Sequence, residues 1–233
     1  MYPVPQISED TIRAQGALIE RFESHIRAKD FPCVGAKSAL ARRQMQFFVA
    51  GDIRCPRDDV ALYDAIRDFA QNFKGAPEPF QTFVVLFDMG ERLSEEAFET
   101  ALWKRLEALE GIDAARGQAY DPRVSSDPED ATFSLSFGGE AFFVVGLHPG
   151  ASRAARRFEV PVLVFNAHDQ FETLRKEGRY DTMRETILKR DEAYSGSINP
   201  MVARHGEISE ARQYSGRMVD DSWRCPMRQI HHS

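Results

Sequence analysis

The chain has 233 residues, 42% hydrophobic and 28% charged, which is ordinary for a globular protein and enough for one large domain with a real core. A formal charge of −6 and a pI near 5.6 exclude a general binder of nucleic acid or anionic membrane, because such surfaces need a cationic excess to release counterions. The longest apolar runs, residues 83–87 and 141–147, fall far short of the ~20 residues of a membrane span, and the N-terminus lacks the basic and apolar regions of a leader, so a cytoplasmic protein is expected.

In chain order, residues 9–29 place Ile12, Leu18, Ile19, Phe22 and Ile26 near one helical face, with acids early and bases late as the helix dipole prefers. Phe31-Pro32-Cys33-Val34-Gly35 stops that helix and opens an apolar, turn-rich segment, followed by a short strand at 44–50. Leu62, Ile66, Phe69 and Phe73 then mark a helix over 57–73. The near-continuous apolar middle of 80–88 predicts a central strand with both faces covered. Ser94 caps a helix with Phe98, Leu102, Leu106 and Leu109 as its inner stripe, closed by Gly111.

A long connection over 113–130 leads to a hairpin, 132–137 and 141–147, turned at Gly138-Gly139, whose first strand is expected to have one face on the core. A further strand at 161–166 and helices at 169–176 and 181–194 follow. Residues 196–227 have no sustained period, yet they carry Tyr214, Trp223, Met201 and Met218, so an ordered tail forming part of a pocket wall is expected. The fold class is α+β: a mostly antiparallel sheet, helices packed mainly on one face, and a long irregular C-terminal segment, in one domain over 1–233. Neither GxGxxG, GxxxxGK[ST] nor GxSxG occurs, which disfavours Rossmann, P-loop and serine-hydrolase readings.

Two patterns bear on chemistry. His148 ends the apolar run 141–147, and Arg153, Arg156 and Arg157 follow it closely in an acidic protein. A nitrogen ligand beside cations fits a metal or cofactor with anionic groups, such as a haem whose propionates meet the arginines. A satisfied polar residue at a strand end and a solvated basic face fit the same pattern. The second pattern is His168 with Glu172, spaced by four, which with His148 would make a non-haem iron triad; Asp169 as a helix cap is the plainer alternative. Cys33, Cys55 and Cys225 are an odd set without metal-finger spacing, read as reduced thiols, although the Cys-Pro dipeptides at 55 and 225 offer a thiolate to haem iron. Asn166, Asn199, Glu207, Glu210, Gln213 and Tyr214 are candidates for a polar substrate.

Taken in order, FPCVGAKSAL, FGGEAFFVVGLHPGASRAARRF, FNAHDQFETLR, GSINPMVARHGEISEARQYSG and WRCPM resemble the YqcI/YcgG family over about 31–227. That family includes haem-dependent N-oxygenases of the pre-guanitoxin N-hydroxylase type. The resemblance implies a haem b cofactor, dioxygen, an electron donor, and a small guanidino or amino substrate whose nitrogen is hydroxylated. It implies His148 as the iron ligand with Arg153 and Arg157 beside the haem, while His168, His205, Cys33 and Cys225 are competing ligands. Glu207 or Glu210 would meet the substrate cation, with Tyr214 nearby. A haem- or ligand-binding protein without turnover is the reading from another class. A homodimer is compatible with either.

Overall fold

The computed structural model describes residues 8–199, 201 and 207–227. Its centre is a five-stranded sheet of β1 (Met45–Asp52), β2 (Thr82–Met89), β3 (Leu135–Phe137), β4 (Glu140–Leu147) and β5 (Val162–Ala167), in the order β1-β2-β5-β4-β3. β1 and β2 are parallel and the other pairs antiparallel. The helices are α1 (Glu9–Arg27), α2 (Val34–Ala41), α3 (Asp59–Gly75), α4 (Glu95–Ala115), α5 (His168–Lys176), α6 (Tyr180–Ser195) and the single turn α7 (Ala211–Tyr214). No described helix is long and apolar enough to cross a membrane.

The expected mixed, mostly antiparallel sheet is observed, and its helices divide between the two faces. The alternation of side chains along β2 shows why. Phe83, Val85 and Phe87 pack with Leu62, Ile66 and Phe69 of α3 and with Phe98, Leu102 and Leu106 of α4. Val84 and Leu86 turn the other way, onto Leu18, Phe22 and Ile26 of α1. A strand buried on both faces must be apolar at consecutive positions, which is how β2 reads.

Local signals set most boundaries. The Ser8 hydroxyl caps α1 through the Thr11 amide, and Ser94 caps α4 by accepting from the Ala97 N–H at 3.2 Å. Ser94→Ala should therefore cost about 1 kcal/mol in a denaturant titration, with an unchanged slope. Gly138 and Gly139 take φ of +60° and +72°, the left-handed turn that the hairpin requires.

Three expectations are corrected. α4 runs past Gly111 to Ala115, because Asp113 is held in the core, where its Oδ1 accepts from the Tyr63 hydroxyl and the Gly138 amide, both at 2.8 Å. β3 is only three residues long and buried on both faces, since the Ser136 hydroxyl faces inward to accept from the Asp121 amide. The segment after Cys33 is helical, with the Cys33 sulfur as its N-cap at 3.4 Å from the Ala36 nitrogen.

Candidate ligand cavity

The face of the sheet carrying Val84, Phe143, Val145, Leu147 and Val164 does not close fully against its helices. A cavity of about 300 Å³ remains between it and α1, α2, α5 and α6. Phe22 and Ile26 wall it from α1, Phe171 and Leu174 from α5, and Met183 and Ile187 from α6, so its surface is mainly apolar. Polar groups are few: Cys33, Arg153, Arg156 and Asp191 from one set of segments, and Asn166, Gln170, Arg175 and Glu210 from another. Apolar walls with a handful of fixed polar groups are the usual build of a small-molecule site, and the volume is at the low end of roughly 300–1,000 Å³.

Each polar group is held. The Arg153 guanidinium donates twice to Asp191 Oδ2, at 2.6 and 2.8 Å, and once to Ser197 O, while the Ser195 hydroxyl holds the other Asp191 oxygen. Arg156 donates to the carbonyls of Gly146, Gln213 and Tyr214, and burial pulls its pKa down to about 10, still cationic at neutral pH. Cys33 lies beside this cation. Burial pushes its thiol up, against the opposing pull of the Ala36 and Gly35 amides and of Arg156. Glu210 is buried and its Oε2 accepts from the Ser134 hydroxyl at 2.7 Å.

The structure gathers only part of the residues chosen from sequence. Cys33, Arg153, Arg156, Asn166, Asn199, Glu210 and Gln213 line the cavity. His148 does not. It projects from the opposite face of the sheet, 1% exposed, with its ring stacked on Phe98 at 4.2 Å and its Nδ1 accepting from the Gly150 amide at 3.2 Å. Burial first of all lowers its pKa to about 4, so the ring is neutral. Arg157 also leaves the cavity, since its guanidinium ties Ala151 O and Ser152 O at the surface. Tyr214 is core: it stacks on Trp103 and donates to Phe142 O at 3.2 Å. Glu207 is exposed, and Cys225 packs against the α3/α4 core, where burial drives its thiol up to about 12. His205 and the His231-His232 pair lie outside the described residues.

His168 is buried beside Ser134 and within 3.7 Å of Glu172, but it cannot share a metal with His148. The β4–β5 register pairs Leu147 with Val162 at the start of β5, whereas His168 follows its last residue. At about 3.3 Å per residue the two histidines sit at opposite ends of the strand, about 20 Å apart. The triad of His148, His168 and a carboxylate is therefore not assembled.

The order of elements, the FPCV turn capping α2 and the LHPGASR turn after β4 all fall within one family pattern: the model of the YqcI/YcgG family matches residues 22–228. The chain belongs to the YqcI/YcgG family. No curated protein and no solved structure is a significant match to it. The family match spans both walls of the cavity, from Phe22 on α1 to Gln213 beside α7.

Sequence reasoning missed Asp191, Arg175 and most of the apolar wall. A signal existed for the first. Met183, Ile187 and Asp191 are spaced by four, which sets an acid on the buried stripe of α6. An acid in that place needs a buried cation, and Arg153 supplies it.

Proposed function

We propose that this YqcI/YcgG protein is a haem-dependent N-oxygenase of a small guanidino or amino compound, with Cys33 rather than His148 as the iron ligand. The observation that carries the assignment is the position of the Cys33 sulfur: on the wall of the apolar cavity, at the first turn of α2, facing amide hydrogens and close to Arg156. Amide donors and a nearby cation favour the thiolate that an iron ligand must be. His148, His168 and Cys225 have no place on that wall. When bound, the haem would supply activation of dioxygen with electrons from an external donor.

The chain's own part is binding and exclusion. Phe22, Phe143, Leu174 and Met183 keep water from the cavity, which strengthens every charge interaction inside it. Glu210 offers a buried carboxylate oxygen to a guanidinium or ammonium group, and Arg156 offers its charge to an anionic one. Asn166, whose Oδ1 and Nδ2 are engaged by Thr82 and Phe143 O, fixes a polar point on the sheet between them. A reducing, cytoplasmic setting suits a free Cys33.

Haem titration of the purified protein tests the reading. A Soret band with the red-shifted ferrous-carbonyl maximum of a thiolate ligand is expected. Cys33→Ala should lose that maximum, and His148→Asn, which keeps an acceptor for the Gly150 amide, should retain it. Absence of a Soret band would overturn the proposal, and a thiolate spectrum that survives in Cys33→Ala would overturn the ligand. Oxygen consumption coupled to a guanidino substrate then separates an oxygenase from a carrier, and Glu210→Gln should weaken such a substrate about tenfold or more.

A further inference from the structure

β1 is an edge strand: β2 pairs along one side of it, and among the described residues no strand pairs along the other. The register fixes which backbone groups face outward. Gln44 O accepts from the Thr82 amide, so Gln44, Gln46, Phe48 and Ala50 turn their N–H and C=O groups toward β2. Met45, Phe47, Val49 and Gly51 turn theirs away. The Gly51 N–H is covered by Asp58 Oδ2 at 2.8 Å, which independently confirms that alternation. Among the described residues nothing comparable covers the outward groups of Met45, Phe47 and Val49.

Exposed edges are ordinarily guarded by a lysine, a proline, a bulge or brevity. The opposite edge, β3, is guarded by its three-residue length. β1 has eight residues, and its stretch Met-Gln-Phe-Phe-Val-Ala-Gly has no charge and no proline. Phe47, Phe48 and Val49 remain partly exposed, while Val84, Val85 and Leu86 in the neighbouring strand are fully buried. Such an edge is complete only with another strand beside it.

We propose that the occupant is β1 of a second copy of this chain, paired antiparallel about a two-fold axis at Phe47. One register uses all three open residues and leaves the Gly51–Asp58 contact intact: Phe47 opposite Phe47, and Met45 opposite Val49 in both directions, for about six new backbone bonds. The same register sets the exposed Arg42, just before β1, opposite Asp52 at the far end of the other copy. A parallel pairing would instead set Arg42 and Arg43 against themselves. A two-fold axis makes both ends complementary at once, and the two five-stranded sheets become one continuous sheet. The interface is independent of any cofactor.

Sedimentation equilibrium of the full chain is expected to give twice the monomer mass of 26.5 kDa at high concentration and to approach the monomer on dilution. Hydrogen exchange should show the amides of Met45, Phe47 and Val49 protected in the dimer and released on dilution, while those of Gln46, Phe48 and Gly51 stay protected throughout. Phe47→Pro removes one outward N–H and no bond to β2, and should be monomeric. Arg42→Glu, at an exposed position that leaves the fold intact, should weaken the dimer about tenfold through its two end pairs. A monomer at every concentration would overturn the proposal. So would a dimer whose outward β1 amides exchange freely, or a monomer in which they are protected by another segment of the same chain.

Discussion

Arg156→Met is expected to destabilise the protein by about 4 kcal/mol, a large share of the 5–15 kcal/mol that a domain usually holds. Arg156 sits where three segments meet. Its guanidinium donates to Gly146 O in β4 at 3.0 Å and to Gln213 O at 3.1 Å, with a longer contact to Tyr214 O, while its backbone carbonyl accepts from the His148 amide. Methionine fills the space but supplies no donor, so the carbonyls stay buried and unpaired. The backbones are too close for water to replace them: a Cβ on Gly146 would stand 2.8 Å from Tyr214 O. The loss should therefore fall on α7 and the strap after it. Limited proteolysis should cut within 207–227 well before the rest of the chain, and Arg156→Lys should recover only a minor part, because a point charge cannot reach all the carbonyls as the planar fork does. A loss under 1 kcal/mol, or unchanged proteolysis, would refute this role.

Glu110→Gln should raise stability by about 3 kcal/mol at pH 7.5 and leave it nearly unchanged at pH 4. Burial, with Asp113 and Glu107 as further causes, lifts the Glu110 carboxyl from the ordinary 4.5 to about 7. The folded state therefore keeps a proton that the unfolded chain releases. Its contribution is full below pH 4.5 and declines as pH rises through 4.5 to 7, and glutamine, which never ionises, escapes the decline. His148 works in the opposite direction. Its pKa of about 4 lies below the ordinary 6.5, so the unfolded chain takes up a proton first, and stability is lost as pH falls from 6.5 toward 4. Over pH 4.5–6.5 the two slopes oppose each other in the wild type. Denaturant titrations across this range should show a steeper rise with pH in Glu110→Gln and a fall with pH in His148→Asn, each relative to wild type. Parallel profiles would refute both assignments.

The fold was largely legible because its signals are local. The stripes of α1, α3 and α4, the apolar middle of β2, the Gly138-Gly139 turn and the Ser94 cap each announce themselves within a few residues. Gly111 misled because the contacts of Asp113 with Tyr63 and Gly138 keep the helix going, and neither partner is near it in sequence. α2 was missed because its cap is a sulfur where a hydroxyl or carboxylate is the usual sign. The site was less legible than the fold. His148, Arg153, Arg156 and Arg157 look like one cluster in the chain, but the turn after β4 sends them to four different places: the Phe98 ring, Asp191, the α7 carbonyls and the Ala151–Ser152 surface. Which face of a sheet a strand-end residue joins depends on register, and register is set by partners far along the chain. Cys33 was visible only as an alternative for the same reason, since the wall it stands on is made by α5 and α6.

The β2–β5 pairing joins Thr82 to Asn166, and the cavity joins Phe22 and Cys33 to Asp191 and Gln213. Such a topology has a high contact order, and its consequence lies in biosynthesis. At roughly 5–20 residues per second, the apolar face of α1 and the Cys33 thiol wait on the order of 10–30 s before the ribosome delivers the segments that cover them. During that interval the future ligand site is an open, sticky surface with an accessible sulfur. A cofactor present in the cell would meet it in its most exposed form, before the last helices shut the door.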